Sequence, residues 1–177
     1  KRYKMQLKQI TQFLEKQFPL SLQEDYDNAG LIYGHLDQEI KGALVCLDST
    51  EAIVDEAIET GCNLIIAHHP IVFRGLKKLT GKTYIERVVE KCIQHKIALY
   101  AIHTNLDNVM WGVNGEIASR LGLKNLQVLA GEILPDPECY AAVFIPGGHG
   151  AMLGIPEDEN VQKILNWAHE NELFTVT

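Results

Sequence analysis

The chain has 177 residues, of which 46% are hydrophobic and 22% charged, and its formal net charge is -7 at pH 7. This length predicts one domain or slightly more, and such a chain can bury a core without disulfide or metal staples. The acidic balance argues against a general binder of nucleic-acid backbones, and every apolar run is too short to span a bilayer. We therefore expect a small-molecule partner rather than nucleic acid or a membrane.

The four cysteines are scattered along the chain without any C-x-x-C pair. They are Cys46, Cys62, Cys92 and Cys139. Such spacing is typical of buried free thiols in a reducing compartment rather than of a disulfide framework. The first residues lead into an amphipathic segment and do not resemble a secretory signal peptide. We therefore predict a cytoplasmic location.

Residues 1–131 alternate between short apolar runs, which predict strands, and segments with helical periodicity. Helices are predicted at 5–18, 50–60, 83–96 and 114–121, and strands at 29–34, 43–47, 64–67, 97–102 and 126–130. Asp48 and Ser49 are the candidate caps of the second helix, and Gly61 is its end. Strand and helix alternation at this spacing implies parallel βαβ units. We predict a three-layer α/β fold, with a mostly parallel sheet and helices on both faces.

A change of character follows at residues 131–138, where two prolines and three acidic residues predict a linker or long turn. One more unit comes after it. Its elements are a strand at 140–145, a glycine-rich loop at 146–156, a helix at 159–171 and a strand at 173–176. We expect this unit to extend the same sheet, so that residues 1–131 form the first part of the fold and residues 132–177 complete it.

The sequence N-L-I-I-A-H-H-P at residues 63–70 places His68 and His69 directly after a continuous apolar run. Such a run is typical of a strand buried on both faces, and open α/β sheets bind ligands at the carboxyl ends of their strands. Neutral imidazole is a common metal ligand. Neighbours on an extended chain face opposite ways, so the pair suits two adjacent ions, or one ion if the chain turns here. The alternative is one histidine at a turn and one capping a carbonyl.

Polar side chains collect at three predicted strand ends, which βαβ topology places side by side. They are Asp48 at the first end, His68 and His69 at the second, and His103, Asn105 and Asp107 at the third. A set of histidines and carboxylates from such ends can hold Zn, Mn or Fe with positions open to water, and such an ion lowers the pKa of bound water. Taken singly, Asp48 is a helix cap and His103 a turn residue bonded to the backbone.

Four motifs together resemble the Nif-three-like family, which is often labelled GTP cyclohydrolase type-two-like. They are D-Y-D-N-A-G-L (25–31), A-H-H-P-I-V-F (67–73), L-T-G (79–81) and I-H-T-N-L-D (102–107). The resemblance covers about residues 5–130 and implies a dinuclear metal site in a toroidal oligomer. His68, His69 and Asp107 match the family's amino-terminal ligands, and His103 lies close by. The family's remaining ligands, a histidine and a glutamate near the carboxyl terminus, belong to a segment that this chain lacks.

Residues 140–172 are similar instead to the DJ-one/PfpI superfamily, in its Hsp-thirty-one chaperone and glyoxalase branch. In that family the P-G-G-H-G loop borders the active site, and its amides can hold an oxyanion. The family's nucleophilic Cys-His pair would follow the strand at 173–176, and the chain ends before it, so the nucleophile is absent. Two families joined at a proline-rich seam suggest a chimera.

We therefore expect a metal-binding protein of the Nif-three-like type, a candidate metal-dependent hydrolase with a truncated site. One or two divalent ions would lie on His68, His69 and Asp107, with His103 and His149 as further residues nearby, and no catalytic residue is assigned. The alternatives are a catalytically inactive chimera, or a DJ-one/PfpI-like chaperone or glyoxalase fragment without its nucleophile. The expected substrate is an unidentified small molecule, and the resemblance implies a homo-oligomer.

Overall fold

The computed structural model describes residues 5–124, 136, 138, 140–145 and 158–176. The chain divides into two compact units, Lys1–Ile117 and Ala118–Thr177. In the first unit the strands are β1 (Met5–Gln6), β2 (Gly30–Tyr33), β3 (Glu39–Ile40), β4 (Ala43–Cys46), β5 (Leu64–Ala67) and β6 (Ala98–Ala101). The helices are α1 (Leu7–Gln17), α2 (Glu51–Thr60), α3 (Tyr84–His95), the single turn α4 (Thr104–Asp107) and α5 (Val113–Arg120), which crosses the boundary.

The central sheet of the first unit has four strands in the order β2-β6-β5-β4. Strands β4, β5 and β6 are parallel, whereas β2 runs antiparallel to β6 at one edge. A separate antiparallel ribbon joins β1 to β3, and this pair was not predicted from the sequence. The mostly parallel sheet and the edge position of residues 29–34 are confirmed. The strand predicted at 126–130 lies outside the described residues.

Helices cover both faces of this sheet, which confirms the three-layer architecture. On one face, Val54 of α2 and Val88 and Cys92 of α3 are completely buried against Ile65 and Leu99. These residues recur at helical spacing, so that each helix turns one apolar stripe towards the sheet.

On the opposite face, Leu7 of α1 packs with Leu64, Ala98 and Tyr100. The row of side chains that contains Tyr100 continues through Ile66 to Val45 on the edge strand β4. At Val45 this face of the sheet is no longer covered, and the residue is 76% exposed.

Helix α2 begins differently from the prediction. The side chain of Thr50, not Asp48 or Ser49, caps it by accepting a hydrogen bond of 3.3 Å from the amide of Ile53. Ser49 is buried and Asp48 is engaged elsewhere, so Thr50 is the hydroxyl in register with the first turn. Gly61 ends the helix in the left-handed conformation, with φ of 72°, as predicted.

The second unit contains β7 (Ala142–Phe144), α6 (Glu159–Glu170) and β8 (Phe174–Val176). Strands β7 and β8 pair in parallel, and Val143 packs with Trp167 and Ala168 of α6. Among the described residues, the parallel pairing of β7 with β8 is the arrangement that strand and helix alternation predicts for this unit. That residues 132–177 complete the larger sheet stays a prediction.

Two further observations bear on the sequence predictions. Cys46, Cys62 and Cys92 are free thiols, as predicted, whereas Cys139 lies outside the described residues. None of the described helices has both the length and the apolar character that a membrane crossing requires.

Candidate metal centre

The parallel register of β5 and β6 brings the candidate ligands to one end of the sheet. Ala67 at the end of β5 lies beside Ala101 at the end of β6, and the chain continues from them into His68 and Ile102. The amide of His68 donates to the carbonyl of Cys46 at 3.1 Å. The backbones that carry the ligands are therefore fixed by hydrogen bonds to their neighbouring strands.

Three imidazole rings converge at this end of the sheet. The ring centroids of His68 and His69 are 5.0 Å apart, and those of His68 and His103 are 5.2 Å apart. His69 and His103 are separated by 5.5 Å. One ring nitrogen from each of the three histidines lies within 4.8 Å of the other two, a spacing at which all three can hold a metal ion.

Each of the three rings is anchored through its Nδ1 atom. Nδ1 of His68 lies 3.0 Å from the carbonyl oxygen of Ile102. Nδ1 of His69 lies 2.8 Å from Oδ1 of Asp48, and Nδ1 of His103 lies 2.8 Å from Oδ1 of Asp27. Carbonyl and carboxylate oxygens accept hydrogen bonds, so each neutral ring carries its proton on Nδ1 and leaves the Nε2 lone pair for a metal.

Asp27 is the most deeply placed of these anchors, and its side chain is completely buried. Besides His103, it accepts a hydrogen bond of 3.1 Å from the amide of Thr104. Burial alone would raise the pKa of Asp27, but the hydrogen bonds from Thr104 and His103 outweigh it and hold the pKa below its ordinary value. Asp27 is therefore a carboxylate, able to orient a ligand histidine.

The electrostatics of the centre favour a neutral His68. Burial lowers the pKa of His68, and the neighbouring His103 and His69 lower it further, against an opposing effect of Asp107. Burial also raises the pKa of Asp107, while its attraction to the three histidines works in the other direction. His68 is thus available as a ligand at neutral pH, and Asp107 lies within electrostatic range of all three rings.

The structure brings His68, His69 and His103 together, so His103 has a more central place than the sequence indicated. Asp107 ends α4 beside them, half-buried, and its carboxylate is not one of the atoms in the 4.8 Å group. Asn105 is completely buried and holds the turn, with its Oδ1 accepting from the amide of His103 at 3.0 Å. His149 lies outside the described residues.

Sequence reasoning missed the role of Asp27. Asp48 was placed with His68 and His69 in the polar set at the strand ends, and as a helix cap only when taken singly, and its carboxylate contacts His69. Asp27 stands in the motif D-Y-D-N, 76 positions before His103, and no local pattern connects the two. The signal available was the presence of an aspartate in the first of the four motifs.

Two aromatic side chains line the centre next to His103. The ring of Phe73 lies 6.4 Å from that of His103 in an edge-on arrangement and 6.3 Å from that of Tyr26. Both Phe73 and Tyr26 remain about two-fifths exposed, at 39% and 41%. The rim on this side therefore combines an apolar surface with access from solvent.

A family model described as Duf34/NIF3 (NGG1p interacting factor 3) matches residues 5–174. The chain belongs to the Duf34/NIF3 family. The resemblance based on the four motifs is confirmed, and the match also includes most of residues 132–177, for which the sequence suggested a resemblance to the DJ-one/PfpI superfamily.

Curated relatives of this NIF3 chain include proteins named "GTP cyclohydrolase 1 type 2 homolog". That of Halalkalibacterium halodurans is 42% identical over 140 residues, which is 79% of this chain and 37% of the relative. That of Bacillus subtilis is 44% identical over 138 residues, which is 78% of this chain and 37% of the relative. The chain thus spans little more than a third of the length of these relatives.

Solved structures of similar proteins support the same fold. A Bacillus cereus protein related to NIF3 superimposes with a TM-score of 0.68 at 41% identity, covering 72% of this chain and 35% of that one. Reduced HcgD from Methanocaldococcus jannaschii gives a TM-score of 0.65 at 32% identity, covering 71% of this chain and 50% of that one.

Proposed function

We propose that this NIF3 chain binds one or two divalent metal ions on His68, His69 and His103, with Asp107 as a further ligand. We also propose that the protein is a metal-dependent hydrolase. The observation that carries the proposal is the convergence of the three histidines, one ring nitrogen of each lying within 4.8 Å of the other two, while an oxygen acceptor beside each Nδ1 fixes the ring and leaves Nε2 for a metal.

The donor set fits Zn, Mn or Fe, because imidazole suits Zn and Fe, and a carboxylate oxygen, which suits Mn, would complete a mixed nitrogen and oxygen site. An ion bound there would supply Lewis-acid chemistry and lower the pKa of a coordinated water. The protein's own residues orient the ligands and form the surroundings of the ion. Asp27 and Asp48 orient the rings of His103 and His69, and the aromatic rings of Phe73 and Tyr26 add an apolar surface beside His103.

The hydrolase assignment is supported by the name of the relatives, which places them with cyclohydrolases, and by the open side of the centre at His69, whose side chain is 46% exposed. We expect an unidentified small molecule as the substrate, a cytoplasmic location and a homo-oligomeric assembly.

Elemental analysis of purified, metal-reconstituted protein tests the proposal. We expect one or two equivalents of metal in the unmutated chain and a clear loss in His69→Ala. His95→Ala, which removes an exposed histidine at the end of α3, is the matched control and should retain the metal. An unmutated chain that binds no divalent ion under these conditions would refute the metal centre.

A second proposal concerns residues 132–177. As an alternative to the hydrolase we propose a catalytically inactive chimera, or a DJ-one/PfpI-like chaperone or glyoxalase fragment, and the parallel pair of β7 and β8 with α6 between them in sequence is compatible with such a unit. Suppression of the aggregation of a model substrate, measured with and without bound metal, would separate the two proposals. Chaperone activity that is independent of metal would favour the second.

A further inference from the structure

The loop between His69 and helix α3 concentrates positive charge in an acidic protein. Residues 70–82 contain Arg74, Lys77, Lys78 and Lys82 and no acidic residue, whereas the whole chain has a net charge of -7. All four side chains are exposed. Within the described residues none of the four forms an ion pair, although Arg87 and Lys91 of the adjoining helix do.

The first end of this basic loop is held against the metal centre. Nδ2 of Asn28 donates a hydrogen bond of 2.6 Å to the carbonyl of Val72. The next residue, Phe73, contacts the ring of His103. Arg74 therefore follows directly after a residue that lines the centre.

The other end of the basic loop is held by Glu86 in the first turn of α3. Its carboxylate accepts from the amide and hydroxyl of Thr80, at 2.8 and 2.9 Å, from the amide of Lys82 at 3.2 Å, and from the hydroxyl of Thr83 at 3.2 Å. These bonds, led by that from the Thr80 amide, lower the pKa of Glu86 to about 2. The carboxylate is thus ionised and occupied by the loop backbone and hydroxyl groups, and among the described residues it forms no ion pair with any of the four cations, so three of their four charges remain in excess.

Arg87 connects this end of the loop to the sheet. Its guanidinium donates a hydrogen bond of 3.2 Å to the carbonyl of Gly81 and forms a bidentate ion pair with Glu51, at 3.1 and 3.0 Å. Glu51 starts α2, three residues after Asp48, which contacts the ligand His69. Both ends of the basic loop are therefore fastened to the rim of the sheet that carries the candidate metal ligands.

We propose that the basic loop binds the phosphate group of a small phosphorylated metabolite, while another part of the same molecule reaches the metal centre. Unpaired cations on a fastened loop attract an anion without losing much conformational freedom. A small molecule is favoured over nucleic acid because Asp25, Asp48 and the other acidic residues of the chain would repel an extended phosphate backbone. The inference rests on the proposed metal centre, since that centre supplies the second point of contact.

Inorganic phosphate is the probe for the test, with the full chain loaded with Mn²⁺ and kept in excess over the metal. Bound Mn²⁺ accelerates the relaxation of nearby ³¹P nuclei, so one titration followed by ³¹P NMR gives both affinity and proximity to the metal. The test variant is Lys77→Gln/Lys78→Gln. The matched control is Lys8→Gln/Lys16→Gln, which removes the same charge from exposed positions on α1.

We expect phosphate affinity to fall by about fivefold in the loop variant, since two exposed cations each contribute modestly, and to stay unchanged in the control. Mn²⁺ content should be the same in both variants. Equal phosphate affinity in the two variants with normal Mn²⁺ content would overturn the loop assignment and leave the metal centre intact, whereas loss of Mn²⁺ binding by the unmutated chain would refute the centre itself. Displacement of phosphate by a random-sequence oligonucleotide at lower concentration than by a sugar phosphate would overturn the choice of a small molecule.

Discussion

The carboxylate of Asp27 lies 2.8 Å from Nδ1 of His103, although 76 positions of sequence separate the two residues. The pair is buried, with the side chain of His103 9% exposed and that of Asp27 not exposed at all. The ring of His103, a candidate metal ligand, is thereby held in one orientation. This contact gives the first motif of the chain a physical role, because the polar loop before β2 supplies the anchor for a ring that follows β6.

Asp27→Asn should weaken metal binding by about 10- to 100-fold, because the orienting acceptor of a ligand histidine is usually worth that much. Calorimetric titration of metal-free protein with Zn²⁺ measures the change. Asp25→Asn is the matched control, because it makes the same substitution at an exposed position of the same motif. Equal affinities in the two variants would contradict the role given to Asp27.

The same carboxylate should stabilise the metal-free protein in a defined pH range. Because the folded-state pKa of Asp27 lies below its ordinary value of 3.8, its contribution is present above that pH and is lost as the pH falls through the folded-state pKa. We expect the free energy of unfolding, measured with urea between pH 5 and pH 3, to fall less steeply in Asp27→Asn than in the unmutated chain. Asp25→Asn should keep the original slope, and a slope that Asp27→Asn leaves unaltered would count against the assignment.

Metal affinity itself should decrease on acidification. Protons compete with the metal for Nε2 of each ligand, so affinity for Zn²⁺ at pH 5.5 should be at least about tenfold lower than at pH 7.5. Burial keeps the pKa of His68 below its ordinary value of 6.5, so this ring becomes protonated later than an exposed histidine would. Competition with a chromophoric chelator at the two pH values gives the ratio, and identical affinities would rule out histidine ligands.

Tyr100 offers a test of polar burial in the core. The residue is 2% exposed, its hydroxyl has no hydrogen-bond partner among the described residues, and burial raises its pKa to about 12. An unpaired buried hydroxyl costs about 1–3 kcal/mol, so Tyr100→Phe should be neutral or stabilising. Tyr100→Ala should instead cost roughly 3–5 kcal/mol through the cavity it leaves. The thermal unfolding midpoints of both variants test these two expectations. A destabilised Tyr100→Phe would reveal a partner for the hydroxyl.

Gly34 is a position where only glycine fits. Its φ is 138°, and a Cβ placed there would lie 2.8 Å from the Cβ of Ala98 in β6. Gly34→Ala should therefore destabilise the first unit by roughly 1–3 kcal/mol through strain and overpacking. Gly75→Ala in the basic loop meets nothing within 4 Å and should be close to neutral. Similar unfolding midpoints for the two variants would show that the backbone at Gly34 can shift.

The parts of the fold that could be predicted from the sequence depend on local patterns. The apolar run of β5 leads straight into His68 and His69, and the helical stripe of α3 is visible as Val88, Val89 and Cys92. The remaining features depend on long-range contacts or on choices between equivalent neighbours. Thr50 and Asp48 are both acceptable helix caps in sequence, and only the position of His69 decides that Asp48 turns away from the helix.

For a similar reason, the sequence does not decide every partner of the last strands. Residues 142–144 of β7 have the composition of any buried strand, and the rules of parallel connection are satisfied by β8 as well as by an edge of the larger sheet. Asp27 presents the same difficulty at the centre, since its partner is fixed by the packing of a loop against α4 and not by spacing.

Because the register of β5 on β6 brings the candidate metal ligands together, the uptake of metal during refolding would report when the sheet assembles. His68 and His103 come from separate strands that meet through the pairing of Ala67 with Ala101, and a slip by one residue would turn one set of side chains to the other face. Helices α2 and α3 can form from local interactions before that pairing exists. In a refolding experiment, helical circular dichroism should thus recover ahead of Zn²⁺ uptake, and the interval between the two signals would time the docking of β6 onto β5.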